Sequence, residues 1–127
     1  MKNYAIKEHH LYNKAFSRGE RYVTKTVAVY VLRDYAAKRL MLANPLKTYF
    51  NRVGLSVGKR LGGAVVRNRA KRLLREAYRA VKTMTGLKTG YLVVLAARDD
   101  IRGKKTADVT KDLARAFRAL GMIEDKS

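Results

Sequence analysis

The chain has no cysteine and no tryptophan, a single proline, two histidines and only ten acidic residues among its 127 positions. Each absence excludes something. Without cysteine there is neither a disulfide framework nor a thiolate metal site, and His9 and His10 are adjacent, with no partner ligands at workable spacing. A lone proline, with no repeat or low-complexity tract, argues against a segmented chain with a linker, so one domain over residues 1–127 is expected. The first ten residues are polar and charged. No stretch approaches the ~20 apolar residues of a membrane span, which leads to the expectation of a soluble, cytoplasmic protein.

What is abundant is positive charge. Twenty-nine Lys and Arg give a formal charge of +19, far beyond the magnitude of roughly 2–8 that suffices for solubility. Such a field favours phosphate backbones, with affinity that falls as salt rises through counterion release. A membrane surface fits less well, because the bases run along the whole chain with no basic amphipathic tail and no lipidation motif.

Hydrophobic periodicity predicts mixed helices and strands. Leu11, Tyr12, Ala15 and Phe16 mark a short helix from about Glu8 to Ser17, with Gly19 as its stop. Tyr22 to Leu32 is rich in β-branched and aromatic residues and fits one long strand or two joined by a kink. Tyr35 to Phe50 contains Asn44-Pro45 and reads as a connection, with a helical turn near Ala36 to Leu42. Arg52 to Val57 alternates like a half-buried strand, and Gly58 to Gly63 turns the chain. The apolar run from Thr89 or Gly90 to Ala97 is expected to form a central strand covered on both faces. Val109, Leu113, Ala116, Phe117 and Leu120 then predict a helix with Thr106 as its cap and Gly121 as its stop.

The most informative segment is Ala64 to Lys82. Val66, Ala70, Leu73, Leu74, Ala77 and Val81 form one apolar stripe on a helix roughly 30 Å long. Lys71, Arg72, Arg75, Arg79 and Lys82 fall on the opposite half of the wheel with Asn68, while Arg67 and Arg69 sit at its two borders. Glu76 is the single acid. Like charges at i,i+4 cost a few tenths of a kcal/mol per pair, so a ridge of Lys71, Arg75 and Arg79 predicts an anion against it. Arginine holds phosphate bidentately and stays charged; Asn68 can donate and accept at a sugar or base edge. Charge alone does not separate RNA from DNA, but no dimerisation heptad or helix-turn-helix spacing supports duplex DNA.

The segment Arg52-Val-Gly-Leu-Ser-Val-Gly-Lys-Arg-Leu-Gly-Gly-Ala-Val-Val-Arg-Asn-Arg-Ala-Lys-Arg-Leu-Leu-Arg-Glu-Ala-Tyr78 resembles the signature of bacterial ribonuclease P proteins, whose hallmark is the Arg67-Asn68-Arg69 core. More loosely, the likeness extends to the first helix with Tyr12 and Phe16, the strand carrying Tyr30, and the Gly90-to-Arg98 strand. It implies an α+β fold, a single-domain αβββαβα two-layer sandwich like domain 2 of ribosomal protein S5, with a left-handed β-α-β crossover. It further implies that Lys59, Arg60, Arg67, Asn68, Arg69, Lys71, Arg72 and Arg75 face the catalytic RNA, and that Tyr12, Phe16 and Tyr30 line a cleft for the 5′ leader of precursor tRNA. Aromatic rings suit that task, since stacking is worth about 1–3 kcal/mol per base. From spacing alone, Tyr12 and Phe16 fit ordinary core packing as well.

The resemblance assigns catalysis to the RNA subunit with Mg2+, with no cofactor or metal held by the protein. Protein-based chemistry finds little support in the residues. Gly54-Leu-Ser56-Val-Gly58 matches a nucleophile elbow, but Ser56 lies in a strand pattern and both histidines precede it. Around Gly58-Lys59, Val53 replaces the first glycine of a phosphate loop, and Arg60 replaces its Ser or Thr. Asp99-Asp100, the clearest carboxylate pair, reads as a turn. The expected function is therefore the protein subunit of a tRNA-processing endoribonuclease; the rival is a structural binder of folded RNA, such as a ribosome-associated protein.

Overall fold

A computed structural model describes residues 4–6, 9–34 and 51–124. The expected turn near Ala36 to Leu42, and the Tyr35 to Phe50 connection as a whole, lie outside the described residues. Helix α1 spans His9–Arg18, strands β2 and β3 span Glu20–Val23 and Val27–Arg33, and β4 spans Arg52–Ser56. A 3-10 turn at Lys59–Leu61 leads into the long helix α2, Ala64–Met84; strand β6, Tyr91–Ala97, and helix α3, Thr106–Ala119, complete the main elements. This is the expected helix, three strands, helix, strand, helix order.

Three two-residue strands are additional: β1 at Tyr4–Ala5, which precedes α1, and β5 at Gly86–Leu87 with β7 at Ile123–Glu124. They are too short to carry a period, so their pairing is set by tertiary position. The main sheet runs β1-β4-β6-β3-β2, and β5 pairs with β7. As its apolar run predicts, β6 is central. It lies parallel to β4, which requires a crossover, and α2 is that crossover.

The ambiguity over Tyr22 to Leu32 resolves as a hairpin. Thr24 closes it: its backbone N–H and hydroxyl both donate to the Val27 carbonyl, and its hydroxyl accepts from Val27 N–H at 3.1 Å. A threonine supplies the turn chemistry usually signalled by Gly or Asn.

Alternation along β3 and β6 divides the core. Val27, Val29, Val31, Val93 and Leu95 face α2 and α3, where Tyr78 and Phe117 meet edge to face at 6.1 Å. Leu92 and Val94 face the other way and pack with Ile6, Leu11 and Ala15 under α1. The sheet and the α2/α3 layer thus form the sandwich, and α1 covers part of the opposite sheet face.

Two expectations need correction. Val66 fits the spacing of the buried stripe but is 37% exposed, because the first turn of α2 is not covered by the core; Tyr78 joins that stripe instead. Thr106 is the first helical residue of α3, not its cap: Lys105 occupies that position and donates its N–H to Asp108 Oδ2 at 3.0 Å. The stop at Gly121 holds. At φ +73° it closes a Schellman motif, with Met122 N–H on Phe117 O at 2.8 Å and Gly121 N–H on Arg118 O at 3.2 Å.

Candidate nucleic-acid interface

Strand register assembles the aromatic group. Arg21, Tyr30, Val94 and Gly54 lie side by side across four strands, on the face that carries α1. Tyr12 and Phe16, one helical turn apart, project from α1 onto this row. The Phe16 ring meets Tyr30 edge to face with centroids 4.8 Å apart and planes at 89°. Tyr12 lies over Gly54 so closely that a Cβ there would fall 2.6 Å from the phenol Cζ. Gly54 therefore seats the ring against bare backbone. Phe16 is 39% exposed, and Tyr12 and Tyr30 are half-buried. The next row along the sheet carries Ala28, Ala96 and Ser56, short side chains that keep the floor beside the rings low.

At the other end of this face, the sequence alone gave no sign of an ion pair between Arg52 and Asp34. Arg52 Nε and Nη2 donate to the two oxygens of the buried Asp34 carboxylate at 2.6 and 2.9 Å, a bidentate fork that ties the end of β3 to the start of β4.

The cationic group is built on the 3-10 turn and α2. Lys59 and Arg60 are exposed, and Arg60 lies 3.5 Å from Asp99 Oδ2 in a solvent-screened pair. Asn68, Arg72, Arg75 and Arg79 are exposed and Lys71 is half-buried, all away from the core stripe. At about 100° per residue, Arg67 and Arg69 lie about 200° apart on the arc that passes through Asn68, so the Arg-Asn-Arg core spreads around the helix instead of forming one flat face. Arg69 donates to Lys104 O at 2.6 Å, on the flank next to α3. Arg67 is half-buried on the other flank, and its Nε is buried with no hydrogen-bond partner among the described residues, a donor directed at no protein acceptor. Glu76 turns to the α3 flank, where its carboxylate accepts from the Thr106 hydroxyl at 2.9 Å. The outer face of α2 is left to cations and Asn68. Partial burial lowers the Lys82 ammonium below its ordinary value.

The residues weighed for protein chemistry are scattered. Ser56 lies inside β4, His9 and His10 are exposed at the start of α1, and Asp99 and Asp100 sit in a 3-10 turn. Among the described residues no group of three or more His, Cys, Asp or Glu is placed to share a metal ion, and no helix is long and apolar enough to cross a membrane.

Fold and surface together define a class: an α+β protein that presents a cationic helix on one side of its sheet and a partly exposed cluster of aromatic rings on the other. Within that class the family is specific. The family model for ribonuclease P matches residues 1–121, and the chain belongs to that family, the protein component of a tRNA-processing enzyme. Similar relatives include the ribonuclease P protein components of Clostridium acetobutylicum, 29% identical over 97% of this chain and 93% of that one, and Geobacillus kaustophilus, 33% identical over 97% and 91%. Among solved structures, the Staphylococcus aureus ribonuclease P protein superposes with a TM-score of 0.74 at 22% identity, covering 97% of this chain and all of that one. The Thermotoga maritima protein gives 0.69 at 19% identity over 95% and 98%. At these identities the structures establish the likeness of fold.

Proposed function

We propose that this protein is the RNA-binding subunit of a cytoplasmic ribonuclease P holoenzyme, holding two RNAs at once. The catalytic RNA lies against Lys59, Arg60, Arg67, Asn68, Arg69, Lys71, Arg72 and Arg75, while the single-stranded 5′ leader of precursor tRNA enters the cleft of Tyr12, Phe16 and Tyr30. The observation that carries this reading is that α1 and α2 pack on opposite faces of one sheet, so the aromatic and cationic surfaces are separate and both available. The bases neutralise phosphates without reading sequence, and the rings take unstacked bases. Bond cleavage belongs to the RNA with Mg2+; the protein raises the affinity for leader-bearing substrate and lowers the Mg2+ requirement.

The test is cleavage of a leader-bearing precursor tRNA by a bacterial ribonuclease P RNA at low Mg2+, with and without this protein, beside a protein-only control. Correct 5′ processing only with both components supports the assignment. Binding without a gain in cleavage favours the structural RNA-binder, and cleavage by the protein alone places the chemistry elsewhere. Within the same assay, Phe16→Ala is expected to weaken leader-bearing precursor about tenfold and mature tRNA hardly at all, by loss of one stacked base. Equal losses for both RNAs in a binding titration would return Phe16 to a packing role.

A further inference from the structure

A groove of about 310 Å³ opens beside the first turns of α2, apart from the aromatic cleft. Its floor is the buried set Leu61, Ala70 and Ile101, and one wall is Val65 and Val66, which are 83% and 37% exposed. Two arginines form its lips. Arg69 is tied to Lys104 O at 2.6 Å, and Arg102 to Leu61 O at 3.2 Å and Asp99 O at 3.4 Å. Each guanidinium has five N–H donors in a rigid fork, so these bonds fix the plane and leave other donors for a ligand. Lys104 and Lys105 are exposed just beyond the rim; the nearby acids are Asp99, which faces Arg60, and the exposed Asp100.

We infer that this groove receives one unstacked nucleobase of the partner RNA, with Arg69 and Arg102 holding the phosphates on either side of it. The inference rests on the RNA-subunit reading and deepens it. Phosphates alone would leave the valine wall and apolar floor uncovered, whereas a flat base face fits an apolar slot flanked by guanidinium planes. The cationic rim selects a polyanion as the source of that base. A base can enter only from a loop, bulge or strand end, so the RNA segment docked at the start of α2 is unpaired.

Two experiments on the assembled holoenzyme test this. Val65→Ser with Val66→Ser removes the apolar wall without changing charge, and serine and valine have similar helix propensities. The expected result is RNA affinity reduced about five- to fiftyfold with the salt dependence unchanged. Because the chain has no native cysteine, Val65→Cys carries a unique thiol for an azidophenacyl cross-linker, and this exposed position tolerates the change. Cross-linking to a single unpaired nucleotide supports the inference even if the double serine variant folds poorly. Affinity within about twofold of wild type in a folded double variant, or cross-links confined to duplex RNA or to a second protein copy, overturns it. Failure of the wild-type protein to bind the RNA at all overturns the RNA-subunit reading together with it.

Discussion

Asn51→Ala is expected to destabilise the protein by about 3 kcal/mol and to lower Tm by roughly 10 °C. Asn51 is only 3% exposed, immediately before β4. Its amide NH2 donates to Tyr78 Oη at 3.1 Å and Lys88 O at 2.9 Å, and its Oδ1 accepts from Tyr91 N–H at 3.0 Å. One side chain thus joins the start of β4 to α2, to the segment after β5 and to β6. Truncation strands a buried hydroxyl, a carbonyl and an amide, each costly to leave unpaired. Burial raises the Tyr78 phenol pKa, with the Asn51 hydrogen bond acting against that rise, so the hydroxyl stays neutral at working pH. Tyr78→Phe removes a single bond and is expected to cost about 1 kcal/mol. Thermal unfolding of both variants checks the ranking; equal, small losses would show that Asn51 is not the hub.

The largest functional effect is expected from Arg67→Ala combined with Arg69→Ala. If each arginine holds a phosphate through charge-assisted bonds worth about 1.5–3 kcal/mol, affinity for the catalytic RNA falls on the order of 100-fold or more. The slope of log affinity against log salt loses about two units. The two sites are separable because they occupy opposite flanks of α2. Arg69→Ala also releases the bond to Lys104 O, so its loss includes the ordering of that loop, and Arg67→Ala does not. Titrations at several salt concentrations, with circular dichroism as the folding control, provide the measurement. A weakened complex with an unchanged slope would mean that neither arginine meets a phosphate.

Much of the architecture is legible in local pattern. The stripe Ala70, Leu73, Leu74, Ala77 and Val81 and the run Leu92 to Leu95 identify the long helix and the central strand, because burial imposes a period of 3.6 or a continuous apolar stretch. The errors fall where local pattern and tertiary position diverge. Val66 matches the stripe yet lies in a helix turn the core does not cover, and Tyr78 reads as an interruption until Asn51 and Phe117 are found against it. Asn51 itself, at the end of a connection with no period, gives no signal in one sequence, since its three partners are 27 to 40 positions away.

The candidate surfaces divide in the same way. The sequence by itself determined the sign of the surface, which favours a polyanionic partner: the charge of +19 and the nearly acid-free outer face of α2 are properties of composition and spacing, and no folding detail reverses their sign. It also determined which aromatic residues were candidates, but not which of them come together or how exposed they are. Only tertiary structure decided that, by laying Tyr12 over Gly54, leaving Phe16 partly open against Tyr30, and placing α1 and α2 on opposite faces of the sheet. The physical reason is that charge is carried by the residue wherever the chain puts it, whereas exposure and contact depend on which distant strands the register brings side by side.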